Sequence, residues 1–296
     1  MSFIQKSNSW KCYSCGASGS IIDLVMEVND LDFAPACDWL YSAYGFGSPS
    51  KQIYLKKIRP YKNAHISIPN QSVIMPNSEI YQWIIQNTQL SDNAKFFLYN
   101  ERKLSSDVVE NLNIRSIDDF ISFFNKAKIQ WGTEALNKCG FKKMGAAWYR
   151  KPILFPYYNK EGDIIQIQAR ATKARNNSER FANIAGVETS IYNISIINNL
   201  DFGSKLFVFE GVTDCLAALS MGIPAIAIPG ASSYKEEYTH LLKYFDINLV
   251  PDNDPAGNRF VDNIKNSFMP FCVNINVFYL PGDCKDFSDY YIKNNG

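Results

Sequence analysis

The chain has 296 residues, 46% hydrophobic and 14% aromatic, enough for two domains that each bury a core and too apolar for a disordered tail. Thirty Lys and Arg stand against 29 Asp and Glu, which excludes a histone-like polycation and an acidic chaperone tail. The charge is unevenly placed: residues 1–200 carry 23 basic and 17 acidic side chains, residues 201–296 carry 7 and 12.

The first 45 residues read as a Cys-containing hairpin followed by helices near residues 20–27 and 33–44, a small module of its own. Residues 46–77 are rich in Ser, Pro, Asn and Lys with little apolar periodicity, the composition of a linker. From 78 to 145 short helical patterns alternate with polar breaks, as at Asp92 to Leu98 and Ser105 to Leu112, with Ser105 and Ser106 as N-cap candidates. Apolar runs at 153–158 and 164–169 flank Asn159-Lys160-Glu161-Gly162, which predicts a hairpin. Past residue 204, strand-like runs at 206–209, 225–228, 247–250 and 273–279 alternate with helical stretches at 212–221, 233–244 and 256–268. That alternation predicts an α/β layer with a largely parallel sheet. No run reaches the roughly 20 apolar residues that span a bilayer, and the N-terminus has no signal-peptide pattern. A cytoplasmic protein without a membrane partner is expected. Five of the seven Cys are isolated in sequence, which fits reduced thiols.

In an open α/β sheet, ligands collect beyond the carboxyl ends of the strands. Three of the four predicted strands end in carboxylates: Glu210 and Asp214 after the first, Asp252 and Asp254 after the third, Asp283 and Asp286 after the fourth. The second ends at Gly230. Crowded carboxylates repel and raise one another's pKa unless a cation compensates, and a hard divalent ion held with substrate phosphates is the usual solution. Gly211 and Gly230 would let a backbone or phosphate come close. Asp and Gly are also ordinary turn residues, and Glu210-Gly211 alone would be read so. Three independent acidic groups at one sheet edge shift the balance.

These residues resemble a known family. Glu210-Gly-Val-Thr-Asp214 followed by Asp252-Asn-Asp-Pro-Ala-Gly257 looks like the TOPRIM domain of DnaG-type DNA primases, topoisomerases and related nucleases. Upstream, Lys151-Pro-Ile-Leu-Phe-Pro156, Gln168-Ala-Arg170, Arg180-Phe-Ala-Asn183 and Ile191-Tyr-Asn193 are similar to the basic half of the primase RNA-polymerase core. Ala94 to Ser105 looks like the opening helix of that core. The resemblance covers about residues 75–296. It implies a basic α+β primase-core subdomain over 78–203 and a TOPRIM α/β domain over 204–296. It further implies Mg2+ or Mn2+ held by Glu210, Asp252 and Asp254, with Asp286 contributing and Asp214 as an additional catalytic acid. Where many relatives carry a second Asp after Asp286, this chain has Ser288, with Asp289 next.

Cys12 and Cys15 have the spacing of a zinc knuckle, which alone is half a site. Cys12 to Met26 resembles the second half of the primase zinc-ribbon module, whose first Cys and His would precede Met1. A truncated module over 1–45 is expected, with Zn2+ bound only if upstream ligands are present. Arg170, Arg180 and Lys151 are candidate contacts to template or nucleotide, together with Gly211 and Gly230. The activity implied is synthesis of short RNA primers on single-stranded DNA from ribonucleoside triphosphates. No P-loop occurs, so a helicase partner would be a separate protein. The alternatives left open are a TOPRIM nuclease and a non-catalytic or degenerate TOPRIM DNA-binding protein.

Overall fold

Three sheets organise the chain in a computed structural model, which describes residues 2–4, 9–11, 18–29, 31–43, 74–141, 148, 151–174, 180–184, 186–187, 189–229, 234–271, 273 and 275–295. Two compact units are present, Met1–Ile74 and Met75–Gly296. Within the first, strands β1 (Ser2–Ile4), β2 (Ser9–Lys11) and β3 (Ser18–Ser20) form an antiparallel sheet in sequence order. Helices α1 (Ile21–Asn29) and α2 (Phe33–Ala43) follow. Asp23 starts α1 by accepting from Ser20 N at 2.6 Å and Ser20 Oγ at 2.7 Å, a reciprocal capping arrangement. Trp10 is buried, and its indole N–H donates to Ser20 O.

The second unit opens with α3 (Ser78–Gln86), capped by Asn77 and burying Ile80, Tyr81, Ile84 and Ile85 on one face. A short helix α4 (Asp92–Lys95) runs into a π-helical turn, Phe96–Glu101, and α5 (Ser106–Asn111) follows. Ser105 precedes α5 but makes no side-chain cap; its N–H donates to Ser220 Oγ instead. Helix α6 (Phe120–Lys138) is broken at Gly132, whose φ of 76° suits a residue without a Cβ. Its face packs Phe120, Phe123 and Phe124 against Phe141 and Trp148, so Trp148 is a core residue and no base-stacking platform.

Strands β4 (Arg115–Ser116), β5 (Ile153–Tyr158), β6 (Ile164–Arg170) and β7 (Phe181–Ala182) form an antiparallel sheet in that order. The predicted hairpin is β5–β6, in register Ile153 with Arg170 and Phe155 with Gln168. The third sheet is parallel and is made of β8 (Lys205–Phe209), β9 (Ala225–Ala227), β10 (Asp246–Leu249) and β11 (Ile275–Val277). Helices α7 (Val212–Ser220), α8 (Glu236–Leu242), α9 (Pro255–Phe268) and α10 (Phe287–Asn295) alternate with these strands. Spatial order is β11-β10-β8-β9, with all three pairings parallel. The order reverses between β8 and β10, so their carboxyl ends flank an open crevice.

One hydrophobic core joins the antiparallel sheet to the parallel one: Ile153, Phe155 and Tyr157 of β5 pack with Phe209, Val212, Cys215 and Leu216. The position of β6 against the β8–α7 turn is therefore set by apolar burial. Among the described residues, no helix is long and apolar enough to cross a membrane. The linker expected at 46–77 lies outside the described residues as far as residue 73.

Tyr81 ties α3 to the far end of α6, its buried hydroxyl donating to Cys139 O at 2.6 Å. Tyr81→Phe leaves that carbonyl without its donor and is expected to cost about 1–2 kcal/mol, measurable by urea denaturation, with the fold retained.

Candidate functional site

Sheet topology brings the acids together. Glu210 leaves β8 and Asp252 follows β10, on the two sides of the reversal, and the backbone N–H of Asp252 donates to Glu210 Oε1 at 3.3 Å. Asp214 lies one turn into α7 and is buried. Its Oδ1 accepts from Ser288 N, at the start of α10, at 2.7 Å. Asp286 stands two residues earlier and caps α10 by accepting from Asp289 N at 2.8 Å.

Close approach constrains two glycines, Gly257 against backbone and Gly211 against a side chain. A Cβ on Gly257 would collide with the backbone oxygen of Asp252, and one on Gly211 would collide with Asp214 Oδ2. The expected permissiveness of Gly211 is therefore spent on an internal carboxylate. Asn253, which sequence reasoning passed over, is the clasp of the site. Its side-chain amide donates to the carbonyls of Leu280, Pro281 and Cys284, at 3.3, 3.0 and 2.6 Å, and its N–H donates to Lys285 O. The loop carrying Asp252 is thereby fastened to the loop carrying Asp286.

The acids are electrostatically one group. Asp252 is pushed up to about 8, by burial first and then by Asp214, Glu210, Asp286 and Asp254. Asp214 is pushed up to about 7, by burial first and then by Asp286, while Ser288 N–H and Arg170 pull it down. Glu210 is raised by burial, with Asp254 adding to the rise and the Asp252 N–H and Arg259 opposing it. Asp254 differs: it is exposed, and its Oδ1 accepts from Ala256 N and Gly257 N at 2.7 and 2.9 Å as the N-cap of α9. One of its oxygens is thus already engaged in holding a helix. Among the described residues, no three His, Cys, Asp or Glu side chains stand ready to ligate one ion. The donor set fits a hard divalent cation by charge and by oxygen chemistry, because crowded carboxylates that retain protons near neutrality gain most from one.

Facing the acids is a basic wall. Arg170, at the end of β6, is buried, and its Nη1 donates to Thr213 Oγ1 at 3.5 Å. It is pushed down to about 9 by burial, then by Arg102 and Arg180, with Asp214 and Asp286 opposing. Arg102 is lowered by burial and then by Arg180, with Asp286, Asp214 and Glu101 opposing, and it donates to Ser288 Oγ at 3.5 Å. Sequence reasoning did not single out Arg102; the signal available was its place in the stretch Ala94 to Ser105. Ser288, which stands where an Asp was expected, is buried and touches both Asp214 and Arg102. Asp289 is occupied by Lys285 N and Lys293. Lys151 is half-buried, two residues before the end of β5 that pairs with Arg170. Cys12, Cys15 and Gly230 lie outside the described residues.

Residues 207–291 match the Toprim-like family. Over 273 residues the chain is 24% identical to the DNA primase of Lactococcus lactis, covering 85% of this chain and 41% of that protein. Generally, the chain spans about half the length of the curated relatives it matches. The zinc-binding and RNA-polymerase domains of Aquifex aeolicus primase superpose with a TM-score of 0.57 at 16% identity, covering 99% of this chain and 71% of that one. A DnaG primase catalytic domain bound to single-stranded DNA gives 0.56 at 16% identity, covering 77% and 76%. The chain is thus a relative of DnaG-type primases that carries a Toprim-like domain and has the fold of their catalytic cores.

Two outcomes follow from the geometry. The raised acids mean that the folded chain keeps protons the unfolded chain has already lost between about pH 4 and pH 8. The unbound fold therefore loses stability as pH rises through that window. Cation binding to the ionised acids reverses this loss. Millimolar Mg2+ or Mn2+ is expected to raise the melting temperature by at least about 2 °C near pH 8.5 and by less near pH 6; equal shifts at both values would count against a cation site at these acids. At Asp254, cap and charge separate. Asp254→Asn keeps an N-cap acceptor and should change stability by less than about 0.5 kcal/mol, whereas Asp254→Ala should cost about 1 kcal/mol, both read by denaturant titration.

Proposed function

We propose that this chain is the catalytic part of a DNA primase, a nucleotidyltransferase that joins ribonucleotides into short primers on single-stranded DNA during replication. The observation that carries the reading is the convergence of Glu210, Asp252, Asp214 and Asp286 on the crevice between β8 and β10. A wall of arginines faces them, and homology to DNA primases supports the same reading. The domain assignment is part of the proposal: a zinc-ribbon remnant over 1–45, a linker over 46–77, the basic subdomain over 78–203 and the TOPRIM domain over 204–296.

Glu210 and Asp252, with Asp254 and Asp286, are the residues that would hold a divalent cation, Mg2+ or Mn2+. When bound, the cation lowers the pKa of the attacking 3′-hydroxyl and takes up charge on the leaving pyrophosphate. Asp214 is the additional acid: buried and tied to Ser288, it fixes α7 against α10 and adds negative charge behind Asp252. Arg170, Arg180 and Lys151 form the basic side, where phosphates of nucleotide and template neutralise guanidiniums and ammonium. Fixing the two reactants in this geometry supplies the remaining advantage through orientation. No side-chain nucleophile is needed. The full activity, a separate helicase partner and any Zn2+ at Cys12 and Cys15 are parts of the same reading.

Ribonucleotide incorporation on single-stranded DNA with Mg2+ or Mn2+ tests it. Synthesis is expected, and Asp252→Ala should lower it roughly hundredfold or more. Template cutting without synthesis would favour the nuclease alternative, and DNA binding without either reaction would favour a non-catalytic protein.

A further inference from the structure

Four side chains in the second unit alternate ring and cation. The Arg102 guanidinium lies over Phe97, 5.1 Å from its centroid. The Arg170 guanidinium lies over the same ring at 5.1 Å and over Phe181 at 4.7 Å. The series runs Arg102, Phe97, Arg170, Phe181. Phe97 and Arg170 are buried at 3% exposure each, so the Arg170 charge is held against its rings with little water around it. Arg102 and Arg180 both hold the Arg170 pKa down, the mark of repulsion among these cations.

Ion pairing does not offset that repulsion. Among the described residues, neither Arg102 nor Arg170 has a carboxylate within 4 Å. Their side-chain bonds are to the hydroxyls of Ser288 and Thr213, both long at 3.5 Å, and Arg170 Nε, fully buried, has no partner. Ring faces supply the stabilisation instead, by cation–π attraction that strengthens on desolvation. A guanidinium whose faces are covered still has its N–H donors in the plane, directed outward at the edges. Two guanidiniums held on one ring, one of them with an orphan donor, match the oxygens of a phosphate chain, which guanidiniums bind in two-point contacts.

The backbone builds this on purpose-shaped geometry. In an α-helix residue i+4 lies over residue i, which would put Glu101 over Phe97. The π-helical turn Phe96–Glu101 replaces that spacing by one residue, and Arg102 N–H donates to Phe97 O at 2.9 Å. The extra residue per turn therefore puts a cation where an anion would stand. Phe181 arrives from β7, directly opposite Arg170 in the ladder.

We infer that Phe97 and Phe181 are positioning residues that hold Arg102 and Arg170 as an edge-on clamp for the polyphosphate of a nucleotide, with the π-helical turn setting the register. This rests on the proposed function for the identity of the nucleotide, but the clamp can be read without synthesis. Binding of inorganic tripolyphosphate to the full chain, measured by calorimetry, is the direct probe; KM and kcat for ribonucleotides are the second. Phe97→Leu is expected to weaken tripolyphosphate binding and raise KM roughly tenfold, with kcat changed less than about threefold. Phe97→Tyr, which keeps the ring, should restore both. Phe155→Leu, a truncation in the same core cluster, serves as the control for loosened packing and should leave tripolyphosphate affinity within about twofold.

Undetectable tripolyphosphate binding by the native chain overturns the clamp, as does unchanged affinity in Phe97→Leu, equal loss in Phe155→Leu, or no restoration by Phe97→Tyr. Ring-dependent binding in a chain that makes no primers leaves the clamp standing and removes the polymerase reading. Primer synthesis indifferent to Phe97 does the opposite.

Discussion

Repulsion among carboxylates that cannot move apart is the interaction on which the rest of this structure turns. Strand order reverses between β8 and β10, so the residues that follow these strands share one crevice whatever their charge. The chain keeps them there by backbone means. Asp252 N–H reaches Glu210, Ser288 N–H reaches Asp214, and Asn253 fastens the Asp252 loop to the loop before Asp286. Each of these bonds is cheap, yet together they deny the acids the relaxation that would relieve their charge. A site arranged for a charge it does not itself contain is less stable empty than filled, which is the usual relation between function and stability.

The same logic, with the sign reversed, governs the wall opposite. Arg102 and Arg180 depress Arg170, Arg180 depresses Arg102 as well, and Asp214 and Asp286 are felt by both. No guanidinium–carboxylate ion pair joins the two sides among the described residues. Direct pairing would neutralise both walls and leave nothing for a ligand. Aromatic faces hold the cations without using their N–H groups, and helix starts hold the anions with backbone donors. Opposite charges are thus kept near one another but separately supported, a condition under which a metal-bound polyphosphate would satisfy both.

Much of this was legible in the sequence, and the boundary between what was and was not is physical. Alternation of apolar runs with helical stretches after residue 204 predicted the parallel layer, because strands buried on both faces must be apolar and their crossovers amphipathic. Carboxylates placed just after three strands predicted one acidic edge, since sheet geometry collects strand ends. Arg102 escaped because its position depends on the π-helical turn, which breaks the 3.6-residue period that pattern reading assumes. Asn253 escaped because an amide between two aspartates reads as turn chemistry, whereas its partners are more than 25 residues away in sequence. Asp254 was read as a ligand only, yet Asp followed by Pro at the first helical position is also the signature of an N-cap. Both roles fit in one residue because a carboxylate has two oxygens.

Burial raises the pKa of both Asp214 and Asp252, yet the two acids are supported differently. The difference lies in what each is given. Asp214 sits in the first turn of α7 and accepts from the first turn of α10, so two helix starts direct their unpaired N–H groups and positive ends at it, and Arg170 adds a full charge. For Asp252 the leading influences, burial and then Asp214, Glu210, Asp286 and Asp254, all raise its pKa. The protein therefore provides for the charge of Asp214 from its own backbone and leaves that of Asp252 to be met from outside. On the proposed reading, this separates two acids that share one crevice: Asp214 holds the frame and shapes the field, while Asp252 is the carboxylate whose ionisation an arriving cation completes.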